Sequence, residues 1–247
     1  MASFFGEVVT GSYRFIDPED PDYNDLRAGR QSWSQSGDIP VEEKLLIVCE
    51  GDIASSYGVM LGDSQTVGQL RCEDSSLEVR RGENFTTVLC SGHETGNIGA
   101  AVLQLASREN CHVVVLVSRH LSQLRTSQPQ TVYSLATKAW AEALPCPALP
   151  PPNLLTGLAA SVLTAGQLSG HRVALLLSYS EVLTVDSLSL ASFSHIHDIG
   201  RDGTTCSFSS DQFFSDVVTK CGIKPVKNIS EALTKLKLTS CDESLYM

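Results

Sequence analysis

The sequence predicts an α/β fold: a layered, mostly parallel or mixed central sheet with helices on both faces, in a single domain with a flexible N-terminal segment and a C-terminal tail. Three observations predict it. The runs Leu45-Leu46-Ile47-Val48-Cys49, residues 113–117 and residues 173–177 are apolar throughout, with no alternation, which is the pattern of strands covered on both faces. Segments of helical spacing alternate with these runs. A chain of 247 residues, 42% hydrophobic, can bury one full core, which fits one large domain with tails better than two separate cores.

Residues 1–40 form a segment of their own. Phe4-Phe5-Gly6-Glu7-Val8-Val9 is an apolar knot, and residues 10–40 are rich in Asp, Pro, Ser, Gly and Gln. Residues 1–43 hold nine acids against three bases, so most of this stretch is expected to be flexible, with the knot as a short anchor. The α/β domain spans residues 41–240. Its first unit is the strand at 45–49, the turn Glu50-Gly51-Asp52 and a helix over 53–61. Residues 62–82 are polar, with Leu77-Glu78-Val79 as an edge strand, and residues 85–90 form a further strand.

Ile98, Val102, Leu105 and Ala106 space a helix over 98–107, and the β-branched run at 113–117 follows. Residues 118–130 read as a surface connection, and 135–144 as a helix containing Trp140 and ended by Pro145 and Pro147. Pro150, Pro151 and Pro152 stop anything helical, so Asn153 is placed to cap a helix carrying Leu154, Leu155, Leu158, Val162 and Leu163 among glycine and alanine. Gly170 ends it. The run at 173–177 is expected in the centre of the sheet. Asp186 caps a shorter helix whose Leu190 and Phe193 face inward. Helices over 209–218 and 231–238 and an edge strand over 223–226 complete the domain, and residues 241–247 are a free tail.

Composition excludes several classes. The net charge of −10 argues against a general nucleic-acid binder, which needs clustered Lys and Arg. No basic start leads into an apolar run, and no stretch approaches the roughly 20 apolar residues of a membrane span, so neither a signal peptide nor a membrane partner is expected. Eight cysteines stand singly, without the C-x-x-C pairs of zinc or redox sites. This suggests the reducing cytoplasm or nucleus, and leaves the triplets Asn84-Phe85-Thr86 and Asn228-Ile229-Ser230 as chance matches to a glycosylation signal.

Catalytic signals are weak. Gly51-Asp52 opens a helix after a strand, but lacks both glycine-rich phosphate fingerprints. His93 and Glu94 lie on a loop after a strand, where α/β enzymes keep catalytic groups, and with Asp52 they define the competing reading, an enzyme of phosphorylase or hydrolase type. His195-x-His197-Asp198 supplies too few ligands for zinc. No enzyme, cofactor or metal is therefore expected. The last three residues differ in kind: Leu245-Tyr246-Met247 puts an aliphatic group, a phenol and a free carboxylate on a tail kept in water by Asp242, Glu243 and Ser244, which suits recognition by a partner.

The opening Phe4-Phe5-Gly6-Glu7-Val8-Val9, the block from Pro152-Asn153-Leu154 to Ala159-Ala160-Ser161-Val162-Leu163, the stretch Leu177-Ser178-Tyr179-Ser180-Glu181-Val182-Leu183 and the hydrophobic-Tyr-any ending together resemble the proteasome assembly chaperone 1 family. The resemblance covers residues 1–9, 145–194 and the tail. The acidic segment is shorter than the charged one of that family, and residues 203–208 look like an insertion. The resemblance implies a non-enzymatic chaperone of cytoplasm and nucleus that pairs with proteasome assembly chaperone 2. Such a heterodimer binds the proteasome α-subunit ring, promotes its assembly and, by inserting tails such as Leu245-Tyr246-Met247 between α-subunits, blocks premature binding of activators.

Overall fold

The apolar runs become neighbouring strands. In the computed structural model the elements in chain order are β1 (Ser34–Gly37), β2 (Leu45–Glu50), α1 (Asp52–Met60), β3 (Gln65–Cys72), β4 (Ser75–Arg81), β5 (Thr86–Cys90), α2 (Gly99–Leu103) and β6 (His112–His120). A 3₁₀ turn (Leu121–Gln123), β7 (Val132–Ala136), α3 (Gly157–Ser169), β8 (Arg172–Ser180) and α4 (Ser187–Asp198) follow. The structure describes residues 33–37, 39, 45–61, 64–72, 75–90, 98–106, 111–126, 131–140, 144 and 146–198. The amino-terminal knot, the loop bearing His93 and Glu94, the elements expected over 209–238 and the tail Leu245-Tyr246-Met247 lie outside them.

The eight strands form one mixed sheet in the order β1-β3-β4-β5-β2-β6-β8-β7. A parallel block of β5, β2, β6 and β8 is extended by antiparallel partners at both ends. Its register brings Val48 beside Val88 and Val115, and Val115 beside Leu175.

Helices cover both faces, which is why the parallel strands read as unbroken apolar runs. Leu46, Val48, Val113, Val115, Val173 and Leu175 point to the face packed by α2 and α3, where Val102, Leu158 and Val162 are fully buried. Leu45, Ile47, Cys49, Leu116 and Leu176 point the other way, against Ile53 and Tyr57 of α1 and Leu190 and Phe193 of α4. The Tyr57 and Phe193 rings meet at 5.6 Å and join the two helices of that layer. On the opposite layer α2 and α3 approach closely: a Cβ at Gly99 would overlap the Ser161 backbone, and Ser161 Oγ accepts from the Gly99 N–H at 2.8 Å.

Two caps behave as the sequence predicts. Gly170 closes α3 at φ +77°, and the Asp186 carboxylate accepts from the Ser189 N–H at 2.7 Å while the Asp186 N–H donates to Ser189 Oγ at 3.0 Å, a reciprocal box at the start of α4.

Several expectations are corrected. Of the helix expected over 135–144, the described residues 135–140 are not helical: Val132–Ala136 pairs with β8, Thr137 Oγ1 donates to the His171 carbonyl at 2.8 Å, and Trp140 lies in a turn, edge-on to His112. Pairing with a fully buried neighbour overrides the segment's modest helical spacing. The run at 173–177 is covered on both faces but lies next to last, between β6 and β7, not at the centre. Residues 77–79 belong to an interior strand, β4, because β3 and β5 pair along its two sides, and the polar Ser34–Gly37 adds a further strand beyond β3, taking four residues of the 1–40 segment into the sheet. Asn153 caps no helix: its side chain accepts from the Arg125 N–H and donates to the Arg125 and Pro150 carbonyls, while α3 starts at Gly157 without a side-chain cap.

Candidate functional site

The chain leaves β2 toward β3–β5 and leaves β6 toward β7 and β8, so the carboxyl ends of β2 and β6 form the point of divergence where open α/β sheets place ligands. Here that point is filled by protein. Glu50 ends β2 with no exposed surface, and the neighbouring Arg119 near the end of β6 is 6% exposed. Arg119 Nη2 donates to Glu50 Oε1 at 2.6 Å and to the Thr156 carbonyl at 3.2 Å, and Glu50 Oε2 accepts from the Ala159 N–H at 2.7 Å.

The pair thus satisfies one of the orphan N–H groups of α3 and bolts that helix to two strands. Gly157 makes the approach possible: its φ is +78°, and a Cβ there would collide with Glu50 Oε1. Arg119, expected on a surface connection, is one of the most buried charges described.

The residues singled out for chemistry do not assemble around this pair. Asp52 is exposed in the first turn of α1, His93 and Glu94 lie outside the described residues, and so do the side chains of His195, His197 and Asp198. No group of three His, Cys, Asp or Glu side chains suited to a metal occurs among the described residues. Cys49, Cys90 and Cys111 are buried, as expected of small apolar side chains, and burial pushes the Cys49 thiol far up, away from the thiolate. No described helix is long and apolar enough to cross a membrane.

A different feature faces outward. The loop from β8 to α4 carries Val182 and Leu183, and the first turn of α4 carries Leu188; they are 54%, 42% and 81% exposed. Its backbone is fixed by its own side chains: Ser180 Oγ donates to the Val182 carbonyl at 2.7 Å, and Ser189 Oγ donates to the Thr184 carbonyl at 3.1 Å. Apolar groups held in water on an ordered loop serve recognition better than folding. Sequence reading took Val182 and Leu183 only as part of a family-like stretch. The usable signal was two apolar residues in a hydrophilic turn beyond the end of a complete strand.

Comparison with known proteins then decides the family. The family model PAC1, described as Proteasome assembly chaperone 4, matches residues 98–225, just over half of the chain. This chain belongs to the proteasome assembly chaperone family. The matched region runs from α2 through α4 and beyond, so it includes the Glu50 partner Arg119, the proline-led helix α3 and the β8–α4 loop. Among relatives of this chaperone, proteasome assembly chaperone 1 of Xenopus laevis is 25% identical over 307 aligned positions covering all of both chains. Proteasome assembly chaperone 1 of Mus musculus is 27% identical over 141 positions, 54% of this chain and 42% of the mouse protein.

Solved structures share the fold at lower identity. PbaA of Pyrococcus furiosus, an archaeal homolog of proteasome-assembly chaperone, superposes with a TM-score of 0.53 at 11% identity, over 84% of this chain and 93% of its own. PbaB of the same organism, an archaeal proteasome activator, gives 0.50 at 11% identity, over 87% and 98%. The expectation of a proteasome assembly chaperone, drawn from the ends and the proline-led block, is therefore met, and so is the layered α/β fold.

Proposed function

We propose that this chaperone acts as the proteasome assembly chaperone 1-type subunit of a heterodimer with proteasome assembly chaperone 2. The pair binds the α-subunit ring of the core particle, promotes its assembly and keeps activators off until the ring matures. The end-to-end match to a proteasome assembly chaperone 1 carries this reading, because it aligns both termini as well as the body. The divergence point of the sheet supports a non-enzymatic role, since Glu50, Arg119 and α3 occupy the place where a substrate would enter. Eight cysteines that stand singly, without a C-x-x-C pair, support work in the reducing cytoplasm or nucleus.

The tail supplies the contact chemistry. Leu245 fills an apolar niche between adjacent α-subunits, Tyr246 packs its ring and hydrogen-bonds its hydroxyl, and the Met247 carboxylate pairs with a basic side chain. The test is reconstitution: the full-length chain, co-expressed with proteasome assembly chaperone 2, is mixed with purified recombinant α-subunits and resolved by native gel. A ternary species containing both chaperones and α-subunits is expected. Migration of the chaperones free of every α-subunit, under conditions where those subunits associate with one another, contradicts the reading.

A further inference from the structure

We propose that His120 is a proton-operated latch at the end of β6. Neutral, it holds the turn over 121–126 and, through that turn, the proline-led segment 150–156; protonated, it loosens both.

The hydrogen bonds of the turn require one protonation state. His120 stands immediately before the 3₁₀ turn, and its Nδ1 accepts from the Ser122 N–H at 3.2 Å. A backbone N–H only donates, so this Nδ1 carries a lone pair and the ring proton sits on Nε2. Ser122 Oγ lies 2.7 Å from the same nitrogen. When the imidazole takes up a second proton, the hydroxyl can turn and accept from Nδ1. The amide cannot, so the turn loses its cap. Histidine is the side chain whose ordinary titration falls in the physiological range.

The turn in turn anchors the segment before α3. The Leu124 N–H closes it on the Leu121 carbonyl at 3.0 Å, and the next residue, Arg125, donates its N–H to Asn153 Oδ1 at 2.6 Å and accepts from Asn153 Nδ2 at 3.2 Å. The Thr156 carbonyl is held by Arg119, so segment 150–156 is pinned at two points by neighbouring parts of one strand end. Between the pins Leu154 is 86% exposed. Leu121 and Leu124 pack against the core, so protonation loosens the turn without freeing the chain. The charges around the imidazole are mixed. Arg119 is turned toward α3 and engaged by Glu50, β8 sets Ser180 beside His120 and runs on to Glu181, and the turn contributes Arg125. Asp52 and Asp186 open the two helices at this end of the sheet, and segment 150–156 holds no ionisable side chain.

Hydrogen exchange of the full-length chain at about pH 8 and about pH 5 reads the latch, each amide rate being divided by that of an unstructured peptide at the same pH. Protection of the Leu124 and Arg125 amides is expected to fall about fivefold on acidification, the size of a lost helix cap, while Val115 in the sheet is unchanged. His120→Asn keeps a side-chain acceptor that does not titrate, and is expected to retain protection at both pH values. His120→Ala is expected to show the lower protection at both. A nitrogen NMR spectrum of the imidazole at the higher pH is expected to place the proton on Nε2. Protection that is unchanged in the native chain, or that falls equally in His120→Asn, overturns the inference. So does full protection in His120→Ala at the higher pH, or a proton found on Nδ1 there.

Discussion

Glu50 and Arg119 show how one residue pair decides what a fold can hold. A carboxylate with no exposed surface persists only because a guanidinium and a helix N–H meet it, and removing one partner leaves the other buried and uncompensated. Glu50→Gln is therefore expected to lower the free energy of urea unfolding by about 3–5 kcal/mol. A loss under about 1 kcal/mol, the scale of an exposed pair, would remove the bolt from this account. Gly157→Ala strikes the same place from the other side, since it adds a Cβ at positive φ against Glu50, and a loss larger than about 1 kcal/mol is expected in the same assay.

Neither charged residue was legible as a pair in the sequence. Glu50 reads as a turn residue after an apolar run, and Arg119 as part of a surface connection. What couples them is the β2–β6 register, and register is a property of the assembled sheet.

Asp186 was legible, because an Asp three residues before Ser189 at the start of a helix is a local signal. The Ser189 N–H, with its hydroxyl and the Leu188 N–H beside it, holds the Asp186 carboxyl below the usual carboxylate range. The folded form thus binds its proton more weakly than the unfolded chain. The stabilisation is present above the unfolded pKa and is lost as pH falls through the folded one. Asp186→Asn keeps an acceptor without a titrating group, so the pH dependence of its stability between about pH 5 and 2 is expected to be shallower than that of the unmodified chain. Identical acid limbs would remove this carboxylate from the pH response.

At the scale of elements, legibility followed burial. Strands β2, β6 and β8 announced themselves as apolar runs because helices cover both of their faces, and α1 and α4 followed from the inward spacing of residues such as Ile53, Leu190 and Phe193. Where one edge or face meets water the signal faded. The four residues of β1 are all exposed, and its Ser-Gln-Ser-Gly is a strand only because β3 offers an edge. A helix was expected over 135–144, yet the amides at its start belong to a strand over 132–136, claimed by β8 on one side and by the 147–149 segment on the other, where the Ser134 N–H donates to the Pro147 carbonyl at 2.8 Å.

Hydrogen exchange tests this ranking. Amides of Val115 and Leu175 in the doubly covered strands are expected to exchange slowest, Leu135 more slowly than an exposed turn, and the outer β1 amides fastest among the strands. Rapid exchange across 132–136 would contradict the edge strand.

For the whole molecule, the family match places this chain among the proteasome assembly chaperones, and its α/β fold is shared with PbaA. The carboxyl tail proposed to contact the ring lies outside the described residues, so ring affinity should track Tyr246 while the stability of the described body should not. The most direct measurement is the affinity of the full-length heterodimer for purified α-subunits with Tyr246→Ala or with Met247 removed. Losing a hydrogen bond to a charged group worth about 1.5–3 kcal/mol predicts binding weaker by about tenfold to a hundredfold, with Tm and companion binding unchanged. Ring affinity within about twofold of the unmodified chain would contradict tail insertion as the basis of this chaperone's action.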